Sequence, residues 1–159
     1  MRLAAPIAAT LLSVTVAADA AEDRQPPYWA SISAGRARMR TGPARTYPAI
    51  WLYRRADLPV RVVGVFKEWR KVEDPDGAQG WMQANLLSAT RTAIVKGPEP
   101  VAMLEEPGSG GRLRWRAAPG VVGRLSQCGA GWCRFDVKGR AGFVAVGGLW
   151  GVEPDEEIE

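Results

Sequence analysis

At 159 residues and a net charge of +4, the chain has room for one ordinary domain or two minimal ones. It contains no histidine, which removes the usual general base, the usual pH switch and the commonest metal ligand together. Its two cysteines, without histidine beside them, make a poor zinc site, so no metal and no cofactor are expected.

Residues 1–20, MRLAAPIAATLLSVTVAADA, carry one basic residue, Arg2, then an uncharged run from Leu3 to Ala18, and close on Ala18-Asp19-Ala20. That is the layout of a cleaved secretory signal. At 16 residues, with Pro6 and three hydroxyl residues inside, the run is short and weakly apolar for a membrane span. No later stretch is apolar enough to span a bilayer, so the expected mature chain is soluble and exported, periplasmic or secreted. Charge is unevenly placed along it. Residues 28–96 hold 12 Lys and Arg against 5 Asp and Glu, residues 97–150 hold 7 against 4, and 151–159 hold five acids and no base. A basic body suits anionic surface polymers or lipid head groups, although exposed arginine also simply keeps small β-domains in solution.

AEDRQPP (21–27) reads as a flexible leader. Short β-runs follow at Tyr28–Ser33, Ala37–Arg40, Trp51–Tyr53, Val60–Val65 and Trp69–Glu73, with a last one starting at Gly80. They are separated by turn signals: Thr41-Gly42-Pro43, Tyr47-Pro48, Leu58-Pro59 and Asp74-Pro75-Asp76-Gly77. Ala84–Leu87 reads as a 3₁₀ turn. Five or six short strands in about 60 residues, without helical periodicity, predict a small closed or nearly closed barrel.

The pattern then returns. Placing Trp69 on Trp132 aligns Asp57–Lys71 with Gly120–Arg134 without a gap, and Val62 falls on Leu125, Val65 on Cys128 and Val72 on Phe135. Upstream, Met39 and Pro43 correspond to Met103 and Pro107. Matched turns and aromatics at this spacing predict a duplication. The first barrel is placed over 28–96 and the second, divergent one over 101–152, with 153–159 an acidic disordered tail. Ser88–Pro100 links them, Gly97-Pro98-Glu99-Pro100 being its flexible part, and Arg91–Val95 offers an extra strand.

Cys128 and Cys133 flank Gly129-Ala130-Gly131-Trp132, and in an exported chain this pair reads as a disulfide across a hairpin neck. Their spacing is wrong for a C-x-x-C redox motif. Seven tryptophans exceed what two minimal cores can fully bury, so some are expected to be exposed, where flat aromatic faces bind peptides or sugars. Trp81 and Trp132 are expected to complete cores and Trp150 to fill the gap between copies. Tyr47 and Tyr53 lie in predicted loops beside Arg45 and Arg54, and are expected to line a groove with Trp51 and Trp69. Asp74-Pro75-Asp76-Gly77 superficially matches a calcium loop, but Asn85 occupies the twelfth position where glutamate is needed. Asp57, Glu68 and Glu73 fall in turns or on exposed strand positions, with nothing to pair two of them in a cleft for glycoside hydrolysis.

The pattern M-R-T-G-P-x-x-x-Y-P, followed by G-x-x-x-x-W-x-x-V and D-G-x-x-G-W-x-x-x-x-L, resembles the bacterial SH3-like domain. With Cys128-x-x-x-Gly131-Trp132-Cys133-Arg134, the chain is similar to an exported family carrying two such domains in tandem. Arg38 stands where that family usually has asparagine. The resemblance implies an all-β chain of two tandem small SH3-like barrels, used for recognition and not for catalysis. Related modules in cell-wall enzymes bind peptidoglycan peptides, so peptide or peptidoglycan and other cell-envelope material is the expected partner. The expected site is Tyr47, Trp51, Tyr53 and Trp69, with Arg45 and Arg54 supplying charge. The alternative is a structural adaptor that binds another periplasmic protein. No nucleic acid is expected.

Overall fold

The computed structural model describes residues 24–159, and the leader reading of residues 1–20 lies outside them. The described residues form fourteen short strands and two 3₁₀ turns. The first seven strands are β1 (Tyr28–Ile32), β2 (Ala37–Arg40), β3 (Ala49–Tyr53), β4 (Pro59–Phe66), β5 (Trp69–Glu73), β6 (Gln79–Gln83) and β7 (Leu87–Ser88). The next seven are β8 (Thr92–Val95), β9 (Val101–Leu104), β10 (Leu113–Ala117), β11 (Val122–Gly129), β12 (Trp132–Val137), β13 (Arg140–Ala145) and β14 (Leu149–Trp150). The 3₁₀ turns, Ala84–Leu86 and Val146–Gly148, lead into β7 and β14.

Two antiparallel sheets result, ordered β3-β2-β6-β5-β4-β1-β7 and β10-β9-β13-β12-β11-β8-β14. Each position in the second is the first advanced by seven strands, so the duplication read from Trp69 and Trp132 is a duplication of topology. The expected fold of two tandem SH3-like barrels is the one observed. Alternation along the strands makes each core. Ile32, Met39, Val60, Val62, Val72 and Met82 fill the first, and Val95, Met103, Leu125, Cys133, Phe135 and Val144 fill the second. Where β6 passes β2, the backbone needs glycine. A Cβ on Gly80 would stand 2.8 Å from both the Arg40 carbonyl and the Met39 sulfur. The equivalent Gly142 lies under Met103 in the same way.

Turn chemistry follows the sequence. Asp74 accepts the backbone N–H groups of Asp76 (3.0 Å) and Ala78 (2.8 Å), and Gly77 takes φ +86°, so DPDG is a turn capped by its own aspartate. In the β11–β12 and β12–β13 hairpins, Ala130-Gly131 and Lys138-Gly139 all have positive φ, the conformation that matches two-residue turns to strand twist. Cys128 and Cys133 stand directly opposite each other in the first of these hairpins and are joined by a disulfide.

Two boundaries differ from the sequence reading. The run Thr92–Val95 is not the end of the first barrel, because β8 pairs with β11 and β14 and opens the second sheet. The first barrel therefore ends at Ser88, and the stretch to Val95 is no linker. All four β8 residues are buried. Ala93 and Val95 point into the second core while Ile94 joins the first, together with Val122 and Trp150. A strand that serves two cores explains why this run shows no polar alternation. Trp150 also meets Trp29 edge to face at 4.8 Å, and the Arg55 guanidinium donates to the Gly120 carbonyl at 2.9 Å.

Nor is the acidic tail disordered. Ile158 packs on the second core and exchanges both backbone hydrogen bonds with Cys128, at 2.8 and 3.0 Å. The Glu156 carboxylate takes a fork from Arg91, whose guanidinium also donates to the Gly151 carbonyl at 2.9 Å. Composition alone hid this, because one apolar side chain and two long-range ion pairs, Arg91–Glu156 and Arg61–Glu153, hold the segment.

Candidate functional site

Two exposed tryptophans sit at equivalent places in the two barrels. Strand β3 ends its sheet at one edge, with β7 at the other, and β10 and β14 hold the same two edges of the second sheet. Both β3 and β10 hang beyond the core: four of the five residues in each are exposed. The register is the same in both copies, bulge included. Trp51 lies opposite Met39, and Trp115 opposite Met103, with the irregularity falling beside each pair. The methionines are buried, whereas Trp51 is 56% and Trp115 41% exposed. Each barrel thus presents one indole over its lip, next to backbone N–H and C=O groups with no strand beside them.

The loop before β3 braces this lip. The Tyr47 ring lies over Gly42, where a Cβ would come within 2.6 Å of it, and Arg40 donates to the Tyr47 carbonyl at 2.8 Å. Tyr47 is 46% exposed, and Ile50 and Leu52, also exposed, point to the opposite face of β3 from Trp51. In the second barrel the corresponding loop is tied by a two-pronged bond from Arg112 to Glu105, which holds that carboxyl below its usual range. The Arg140 guanidinium stands 5.4 Å above the Trp115 ring, so that indole already has one cationic neighbour.

The six residues expected from the sequence do not form one groove. Tyr47 and Trp51 are together on the β3 edge. Tyr53 is on the same strand, not in a loop, and is half-buried. Its hydroxyl donates to Asp74 at 2.7 Å, and burial first, then that bond, raises its pKa above the usual tyrosine value. Trp69 is 4% exposed, which removes it from any binding face, whereas Trp81 and Trp132, both expected to complete cores, are half-buried and belong to neither core cluster. Arg45 lies across the strands from Trp51, beside Arg36, Arg38, Arg40 and Leu52. Arg54 is elsewhere again, in a mixed-charge crevice between the barrels with Asp57, Arg124 and Asp136. Trp115 was missed. Its signal was its separation of 64 from Trp51, the same as that of Met103 from Met39.

The fold and the repeated lip define a class: a pair of SH3-like barrels, each with an exposed tryptophan on an edge strand. The chain belongs to the bacterial SH3 domain family, whose model matches residues 33–89 and again 97–151. Each match begins just after the first strand of its barrel. No curated protein matches the chain. Among solved structures it is similar to NlpC2 from Trichomonas vaginalis, at 12% identity and a TM-score of 0.35, over 80% of this chain and 49% of that one. NlpC1 from the same organism is similar at 14% identity and a TM-score of 0.34, over 87% and 50%. The chain spans about half the length of these two structures.

Proposed function

We propose that this chain is an exported, non-catalytic binding module that holds peptidoglycan or its peptides through the edge strands β3 and β10. The observation that carries the reading is the repetition of an exposed tryptophan at one register position in two otherwise divergent barrels. A free edge accepts an extended peptide by main-chain hydrogen bonds, and a flat indole beside it stacks on a sugar or an apolar side chain. Two such edges in one chain raise avidity for a repeating polymer without further contacts. The Cys128–Cys133 disulfide supports an oxidising compartment, as the leader pattern does. The lack of histidine supports a binding role over catalysis.

Sedimentation with purified peptidoglycan tests the reading. The wild type is expected to co-sediment, and the double variant Trp51→Ala/Trp115→Ala to be lost from the pellet while keeping its far-UV spectrum and melting temperature. If the wild type stays in the supernatant, the reading falls, and the adaptor role toward another periplasmic protein takes its place.

A further inference from the structure

The opposite face of the β2–β3 pair carries a second feature. Arg36, Arg38, Arg40 and Arg45 line one depression of about 500 Å³, together with Leu52, Gln83 and Leu86. Arg38 pairs across the strands with Leu52, so this face alternates with the one that carries Met39 and Trp51. Among the described residues none of the four guanidiniums forms an ion pair; all five ion pairs lie elsewhere. Arg40 alone is anchored, on the Tyr47 carbonyl. Residues 36, 38 and 40 are spaced two apart along an extended chain, which places successive backbone positions about 7 Å apart.

The second barrel is an internal control. By the shared register, Arg36, Arg38, Arg40 and Arg45 correspond to Pro100, Ala102, Leu104 and Ser109, none of them charged. The same fold therefore forms without the cluster. Four like charges around one depression repel each other and contribute no packing that the barrel requires. All four are arginine, whose planar fork binds oxyanions in pairs of hydrogen bonds where lysine acts as a point charge. One carboxylate offers a single charge and two oxygens, which leaves most of this donor set unused. Linked phosphates offer several charges at spacings the strand can follow.

We propose that this arginine face is a binding site for an anion carrying two or more phosphate groups. The site is independent of the edge-strand reading, because it lies on the other face of the same strands. Its ligand has two possible sources, a soluble phosphate chain or phosphate head groups at a lipid surface, and two arms of one experiment separate them.

Tripolyphosphate is titrated into the full chain by calorimetry, and vesicles of phosphatidylcholine with and without phosphatidic acid are tested by flotation. The proposal expects binding in at least one arm. It also expects Arg36→Gln/Arg38→Gln to weaken that binding at least tenfold. Neither side chain makes a hydrogen bond among the described residues, so the fold is retained. The matched variant Arg114→Gln/Arg116→Gln removes the same charge from the second barrel and is expected to change affinity less than twofold. Binding of tripolyphosphate alone assigns a soluble ligand, and flotation only with phosphatidic acid assigns a lipid one. Three results overturn the proposal: no binding in either arm, equal loss in both double variants, or binding of polyglutamate as tight as that of tripolyphosphate.

Discussion

Ile94 tests the way the two barrels are joined. Its backbone belongs to the second sheet, opposite Val122 and Trp150, but its side chain packs in the first core and is only 9% exposed. Ile94→Ala removes three carbons from that contact. At about 0.8 kcal/mol per buried methylene the transfer loss is about 2.4 kcal/mol, and an incompletely collapsed cavity brings the cost to about 2–4 kcal/mol. For a unit of this size the melting temperature should fall by about 10 °C. The informative assay is native-state amide exchange, because it reports each barrel separately. Protection at Val60, Val62 and Val72 in the first barrel should fall in Ile94→Ala, even though the substituted residue is hydrogen-bonded in the other sheet. Val95→Ala, whose side chain faces the second core, should lower protection at Leu125 and Phe135 first. If Ile94→Ala leaves the first barrel's exchange unchanged and lowers only the second's, β8 does not serve two cores.

Other expectations follow from named contacts. Gly80→Ala forces a Cβ to within 2.8 Å of the Arg40 carbonyl, a backbone atom that cannot swing away, and should cost about 1–3 kcal/mol in urea unfolding. Gly142→Ala, with its nearest backbone oxygen at 3.0 Å, should cost less. Cys128→Ala/Cys133→Ala opens a short loop, for which chain entropy gives about 2 kcal/mol, and exchange should rise first at Ile158, which is bonded to the Cys128 backbone. Docking of the tail should also depend on pH. Burial opposes ionisation of Glu156, but hydrogen bonds from Arg91 and the Glu153 N–H prevail and hold its carboxyl below the usual range. A depressed pKa contributes stability that is fully present above the unfolded value and lost as pH falls through the folded one. Amide exchange at Ile158, corrected for intrinsic rates, should therefore be flat above about pH 4.5 and accelerate below it, and Glu156→Gln should abolish that pH step.

Much of the fold was legible because it is written in local chemistry. Alternation at Ala37–Arg40, the capped DPDG turn and the fixed offset between the copies are each properties of a few neighbouring residues. What was not legible depends on distant partners. The Thr92–Val95 run is apolar on both faces, so nothing local says which sheet it joins. Trp51 has apolar flanks, Ile50 and Leu52, and Trp69 charged ones, Glu68 and Arg70, the reverse of their exposure; the edge position of β3 exposes the first while pairing of β5 with β4 and β6 buries the second. Tyr53 looked like a loop residue free to bind, but Asp74, far along the chain, takes its hydroxyl. The arginines at 36, 38 and 40 were visible as one alternating face, yet their convergence with Arg45 needed the loop to fold back.

The central claim is that the two edge-strand indoles form the binding face, and chemical-shift mapping tests it directly. Soluble peptidoglycan fragments are titrated into ¹⁵N-labelled chain and the indole N–H signals followed. The account predicts saturable shifts at Trp51 and Trp115 and at the backbone amides of β3 and β10, with Trp69 and Trp150 unmoved. Shifts confined to other surfaces, or none at concentrations where the chain co-sediments with the polymer, would contradict it.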